Sequence, residues 1–282
     1  MDIKYLVIIP TFNRRDELRA TIRSMHFLQH HPDVKLVVID DGSTDGTLKM
    51  LGQEFPFVLS HKNEKQQGPS YSRNWAAKNY KADYYIFLDS DIEVPYIWWK
   101  VITKNLAPHH VLAGKIVNLY TKDVEVGPRC STFFGGSVPC SPERANVGSS
   151  CHLIVPASCF HALDGFDEEI PYYFEDSDLC IRAQKTGYPV KYLDEAVIYH
   201  KNQGHKKGKR IQMHVQNRTY AMSKAYQNMP LKLITFFIFN TMWVSIQSGI
   251  RGLHLQFHDS LCIWRGWISG NRMFIKRVIE KS

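Results

Sequence analysis

Tyr84-Tyr85-Ile86-Phe87-Leu88-Asp89-Ser90-Asp91 is the stretch that decides the fold of this 282-residue chain. An aromatic and aliphatic run with charge on both sides predicts a buried central strand over 84–88. Two carboxylates one residue apart follow it. Side chains alternate faces along an extended strand, so Asp89 and Asp91 point the same way if that geometry persists. In an open α/β sheet, a central strand delivers its C-terminal end to the crevice where ligands bind. Two oxygens facing one point suit a hard divalent cation that is also held by phosphates. A solvated Asp-Ser-Asp turn has the same composition, so the pair by itself leaves both readings open.

Outward from this strand, apolar runs alternate with helical patterns over the first 120 residues. This predicts βαβ units and a mixed, mostly parallel sheet flanked by helices, an α/β fold. Strands are expected over 5–9, 36–39, 57–60 and 111–117, and helices over 13–28, 47–54, 70–80 and 96–106. Residues 119–148 are rich in Gly, Pro and Ser and lack periodicity, which predicts a long functional or mobile loop. A strand over 152–155, a helix over 157–163 and a turn over 164–169 follow. Next come a helix over 174–185 with Gly187 at its C-cap and a strand over 197–199 ending at His200. Beyond it the chain reads as helical.

A hydrophobic content of 44% with 22% charged residues suits a globular enzyme. The six cysteines lie far apart with no Cys-x-x-Cys, which argues against a zinc knuckle or a redox pair and for free thiols in a reducing cytoplasm. The first residues carry no basic-then-apolar leader, so a cytoplasmic location is expected. The net charge of +8 is uneven: residues 201–282 hold 14 Lys/Arg against Asp259 and Glu280, whereas the first 200 hold 21 against 25 acids. Such a basic end calls for a polyanionic partner. Residues 231–250 are apolar but interrupted by Lys232, Asn240 and Gln247, short of a clean membrane span. Trp243, Trp264, Trp267 and Phe274 stand among Arg251, Arg265, Arg272, Lys276 and Arg277. Aromatics beside cations fit helices lying in a bilayer interface, so an anionic membrane is favoured over nucleic acid, for which no motif is present.

Other strand ends carry matching signals. The first ends in Ile9-Pro10-Thr11-Phe12-Asn13-Arg14 and the second in Asp40-Asp41-Gly42-Ser43. Gln66-Gln67-Gly68-Pro69-Ser70-Tyr71-Ser72-Arg73-Asn74 opens the helix before Asp89, with Arg73 placed to fork onto a phosphate. Taken in order, these pieces closely resemble the donor half of an inverting family 2 glycosyltransferase of GT-A fold. Leu163-Asp164-Gly165-Phe166-Asp167-Glu168 resembles that family's acceptor-side turn. Tyr173-Phe174-Glu175-Asp176-Ser177-Asp178-Leu179 resembles its catalytic Glu-Asp segment, and Val197-Ile198-Tyr199-His200 the strand that brings a histidine to the metal and diphosphate.

The resemblance covers about residues 4–228. It implies a catalytic domain over 1–228, with a nucleotide-binding half over 1–118 and an acceptor half over 119–228, followed by a basic amphipathic helical region over 229–282. Pro10, Phe12, Asn13, Asp41, Gly68, Arg73 and Asp89 would bind the donor, a UDP-sugar first and a dTDP-sugar next. Asp91 and His200 would hold Mn²⁺ or Mg²⁺. Asp176 would be the general base, with Glu175 and Asp178 beside it raising its pKa by like charge. The Gln-x-x-Arg-Trp segment of processive members is replaced by Gln212-Met213-His214-Val215-Gln216-Asn217-Arg218, which implies one sugar per encounter. The acceptor would be a glycan or lipid-linked glycan at the inner face of the plasma membrane. A sugar-nucleotide nucleotidyltransferase would open with a Gly-rich loop, and a dinucleotide enzyme with Gly-x-Gly-x-x-Gly; neither follows the first strand. A non-enzymatic nucleic-acid binder would leave Asp89, Asp91 and Asp176 idle.

Overall fold

The structure, a computed structural model, describes residues 3–201, 207–253 and 257–281. Its first half is built from β1 (Tyr5–Thr11), α1 (Arg15–Ser24), β2 (Val34–Asp40), α2 (Thr47–Glu54), β3 (Leu59–Lys62), α3 (Pro69–Asn79) and β4 (Tyr84–Leu88). The strands pair in parallel in the order β3–β2–β1–β4. β1 and β4 are apolar without alternation because helices cover both sheet faces, and they sit where two buried clusters meet the sheet. β4 has the bounds expected from the sequence.

The second half adds β5 (Ile92–Glu93), α4 (Tyr96–Asn105), β6 (Val111–Asn118), β7 (Val124–Val126), β8 (Arg129–Ser131) and β9 (Ser137–Pro139). Then come β10 (His152–Pro156), α5 (Ala157–Ala162), α6 (Glu175–Lys185) and β11 (Val190–His200). The sheet continues β4–β10–β6–β11–β5, with β7 on the side of β6. β10 runs antiparallel to both β4 and β6, whereas β11 returns parallel to β6, so the expected parallel pattern is interrupted at β10.

Other departures have local causes. The helix expected over 13–28 starts at Arg15, because Asn13 takes φ +50° and gives its backbone N–H to Ser43 Oγ at 2.9 Å. It ends at Ser24 and passes into a short 3₁₀ turn, His26–Leu28. The third strand begins two residues late, after a turn closed by Val58 N–H on the Phe55 carbonyl. The stretch 119–148 is not a featureless loop: β7 pairs with β6, and β8 with β9 as a small hairpin. The last strand starts at Val190, seven residues early. A register shift between Leu193 and Val197 breaks the alternation by which a strand is recognised.

The basic end forms α7 (Lys207–Tyr226), α8 (Pro230–Leu253) and α9 (Phe257–Lys281). α9 lies directly on α7: a Cβ on Gly266 would collide with the Gln212 carbonyl, and one on Gly270 with the Gln216 carbonyl. A third cluster, including Ile170, Phe174, Tyr220, Phe236 and Phe274, packs these helices on the segment between α5 and α6. Lys224 adds ion pairs to Asp167 at 2.6 Å and Asp178 at 2.8 Å. By length and composition, Pro230–Ile250 is long and apolar enough to cross a membrane, contrary to the expectation that its polar residues disqualify it. Lys232 sits in the first turn, and Asn240 is buried, accepting from Arg218 and donating to Thr219.

Candidate active site

The C-terminal ends of β1, β2 and β4 open into a cavity of about 830 Å³, within the usual size of a small-molecule site. Pro10, Thr11 and Phe12 leave β1 to form one wall, and Phe12 is exposed. Asp41 N–H donates to the Thr11 carbonyl at 2.8 Å, holding the first two strand ends together. The Asp41 carboxylate accepts from Asn63 Nδ2 and Gln67 N on Oδ1 and from Gly68 N on Oδ2, at 2.8–2.9 Å. A carboxylate has about four acceptor positions, so Oδ2 keeps one lone pair toward the cavity. Gly68 stands at φ +92°, with Pro171 Cβ 2.8 Å from where a Cβ would lie; it allows the segment at Pro171 to close on the loop before α3.

Asn13 and Gly68, expected among the nucleotide contacts, do not line this cavity. They brace its wall, Asn13 by accepting Thr44 N–H at 2.8 Å. Arg73 lines the cavity but is almost fully buried, and its guanidinium donates to Asp89 Oδ1 at 2.9 Å and Glu175 Oε1 at 3.2 Å. It therefore neutralises carboxylates instead of offering a free fork to phosphate.

Across the cavity, Tyr173 and Phe174 both take left-handed backbone conformations, at φ +57° and +82°. They turn the chain so that α6 begins at Glu175 with the acidic pair at its mouth. Asp176 is partly buried and accepts from Ser177 N at 2.6 Å and Ser150 N at 3.3 Å. Glu175 is 7% exposed and also accepts from Ser150 Oγ at 2.9 Å. Burial, reinforced by the charge of Asp176, pushes the Glu175 carboxyl up to about 7 against the pull of Arg73. Burial also raises the Asp176 carboxyl, opposed by N–H groups and Arg73. Asp178, expected to crowd them, instead faces Arg182 at 2.6 Å and Lys224. Burial, rather than a third acid, is the principal cause.

The carboxylates expected to hold a metal are arranged by strand pairing. β5 pairs with β11 so that Ile92 lies opposite His200, and Lys201 N–H bonds the Asp91 carbonyl at 2.8 Å. His200 Nε2 is thereby 3.4 Å from Asp91 Oδ2, while Nδ1 meets Glu125 Oε2 at 2.6 Å. Arg14 pairs with the same Asp91 oxygen. Asp91 Oδ1 is buried with no partner among the described residues. Burial pushes the Asp91 carboxyl up, but His200 and Arg14 outweigh it and hold the carboxyl below its ordinary value. Burial lowers His200, yet the two carboxylates beside it raise it to about 9. Among the described residues no three His, Cys, Asp or Glu side chains converge as a ligand cluster. Asp91 and, once its Nε2 proton is displaced, His200 are two donors that fit a cation whose remaining ligands are substrate phosphates and water.

Sequence reading missed several contributors. Glu125 and Val126 come from the unreadable stretch 119–148. Ser150 precedes β10, Tyr172 accepts from Gln66 at 2.9 Å, and Arg210 and His214 reach the cavity from α7. Burial, with the charges of Arg218 and Arg210, pushes the His214 imidazole down to about 4, so it is neutral at pH 7.

Comparison with known proteins converges on the same assignment. Residues 6–135 match the family model for glycosyl transferase family 2. The succinoglycan biosynthesis protein ExoA of Rhizobium meliloti is 26% identical over 212 residues, covering 69% of this chain and 62% of that protein. The chain spans 27%, 15% and 30% of the lengths of the first curated relatives it matches. Residues 1–349 of S. aureus TarS in complex with UDP superpose with a TM-score of 0.58 at 20% identity, over 83% of this chain and 71% of that one. GalNAc-T7 with UDP, GalNAc and Mn²⁺ superposes with a TM-score of 0.61 at 16% identity, over 82% and 51%. Strand order and the structural likeness agree on a GT-A fold, and residues 6–135 within it carry the match to glycosyl transferase family 2.

Proposed function

We propose that this chain transfers a single sugar, with inversion, from a nucleotide-diphosphate sugar to an acceptor hydroxyl in bacterial surface-glycan synthesis. The observation that carries this is one cavity walled on one side by Phe12, Asp41 and Asp89 and on the other by Asp176. The structure of TarS with UDP favours UDP as the nucleotide. Phe12 would stack on the base and Asp41 would accept a hydrogen bond with its remaining lone pair. Asp89 would meet the ribose. Asp176 is the base that removes the acceptor hydroxyl proton, since its carboxylate is raised above the ordinary range but is not locked by Arg73 as Glu175 is. Asp91 and His200 would hold Mn²⁺ or Mg²⁺, and such an ion neutralises the departing diphosphate. Glu125 fixes the ring of His200 by accepting from Nδ1. The basic helices suit an acceptor that is a lipid-linked glycan, reached from the cytoplasmic face of the plasma membrane.

The test is UDP release from a panel of UDP- and dTDP-sugars with Mn²⁺. Slow, enzyme-dependent release by hydrolysis is expected without acceptor. No release from any sugar, combined with no nucleotide binding, overturns the reading.

A further inference from the structure

α8 is apolar on two faces, and among the described residues only one of them is buried. Phe236, Asn240, Val244 and Ser248 form the inward stripe, buried against α7 and α9. The opposite face presents Leu231, Ile234, Ile238, Phe239, Met242 and Ile246, all exposed. No charged residue occurs from 233 to 250. At 1.5 Å per residue this charge-free stretch is about 27 Å long. A helix that is hydrophobic all round needs cover on both sides.

The neighbouring helix shows what the cover is. α9 runs antiparallel to α8: the rings of Phe237 and Phe274 are 6.3 Å apart, and Ser260 Oγ donates to the Ser248 carbonyl at 2.6 Å. Its exposed face mixes Leu261, Ile268 and Ile275 with Arg265, Arg272 and Lys276. Long cationic side chains keep their heads in the headgroup layer while their stems cover apolar surface. Two of the four aromatics expected to insert are committed elsewhere. Trp243 lies under Arg218 at 4.0 Å, and Phe274 is buried. Arg277 bonds Tyr220 at 3.0 Å, and the Arg251 side chain is outside the described residues. Spanning is disfavoured, because it would strip Asn240 from Arg218 and draw the cations of α9 into hydrocarbon.

We propose that the aliphatic face of α8, flanked by the exposed cations of α9, docks flat on an anionic bilayer, with α8 in the headgroup–acyl boundary. This deepens the proposed membrane-side acceptor and rests on that reading only for its purpose. α8 and α9 are joined through α7 to the loop carrying Glu175 and Asp176, so docking sets the acceptor side of the cavity at a fixed height over the lipid.

The experiment is flotation of the full chain with phosphatidylcholine vesicles, with and without phosphatidylglycerol, over a range of salt. Partitioning should be at least about tenfold higher on the anionic vesicles and should be weakened, not abolished, by salt. Ile238→Asp with Met242→Asp should lower it at least about tenfold, and Arg265→Glu with Arg272→Glu should erase the anionic preference. UDP affinity should be unchanged in both, and where one pair disturbs folding the other decides. No binding, equal binding to both vesicles, or wild-type binding by the variants overturns the proposal. So does a dimer in vesicle-free buffer that the Asp pair dissolves, since a second copy would then be the cover. UDP release without vesicle binding overturns docking alone; vesicle binding without turnover overturns the transferase reading alone.

Discussion

Asn217 Nδ2 donates to the Tyr172 carbonyl at 2.5 Å and, in the same fork, to that of Tyr173 at 3.1 Å. One buried amide on α7 thus holds the left-handed turn that aims Glu175 and Asp176 into the cavity. Such backbone conformations cost on the order of 1–3 kcal/mol each and persist only when their surroundings hold them. Asn217→Ala is expected to lower kcat roughly tenfold to a hundredfold, as misplacement of a reacting group by about 1 Å does. UDP affinity should stay near wild type, because the nucleotide wall lies on β1 and β2. Steady-state kinetics beside a UDP titration checks this; unchanged kcat removes Asn217 from the positioning apparatus.

Glu125 touches His200 and not the cavity's nucleotide end. Partners that orient a metal-binding imidazole are worth about 10–100-fold in metal affinity. Glu125→Gln should weaken Mn²⁺ binding in the presence of UDP by that factor, and Asp91→Ala should abolish it. Calorimetric titration of Mn²⁺ into the UDP complex reads both. Excess EDTA should reduce turnover of the wild type by at least about a hundredfold, the scale of losing a main electrostatic stabiliser; full activity would exclude the metal role.

The strand that carries Asp89 and Asp91 is legible because a central strand buried on both faces is a continuous apolar run with sharp charged ends. The ordered motifs likewise bring Asp176, Phe12 and His200 to one site. What escapes the sequence is tertiary. Arg73 reads in the sequence as a fork for phosphate, and only packing shows its guanidinium between Asp89 and Glu175. Glu125 lies in a stretch whose short strands pair with distant partners and so carry no period of their own. The start of β11 is masked by a register shift, and the outward face of α8 by an apolar composition that looks the same whether covered or bare.

Glu175 should make stability depend on pH. Its carboxyl rises from an ordinary 4.5 to about 7 in the folded chain, which therefore binds the extra proton between those values. Its contribution is fully present below about pH 4.5 and is lost as pH rises through about 7. Glu175→Gln cannot ionise and escapes that loss. The melting temperature of the variant relative to wild type should climb between about pH 5 and pH 8. A flat difference across that range would place the proton elsewhere.

Asp176 faces the cavity, and burial raises its carboxyl above the ordinary value, so its basic form is lost at milder acidity than an ordinary aspartate's. The wild-type kcat/KM should fall as pH drops through that raised value, because a protonated carboxyl cannot accept the acceptor hydroxyl proton. Asp176→Asn keeps the shape and one of the two bonds, Ser177 N–H on Oδ1 or Ser150 N–H on Oδ2, while removing the base. Loss of a positioned general base costs about 10²–10⁴ in rate. UDP affinity should be nearly unchanged, since the side chain stands on the acceptor wall, across the cavity from Phe12 and Asp41. The pair of measurements separates the possibilities. A variant that turns over normally makes Glu175 the base, and one that cannot bind UDP shows that Asp176 shapes the donor site instead.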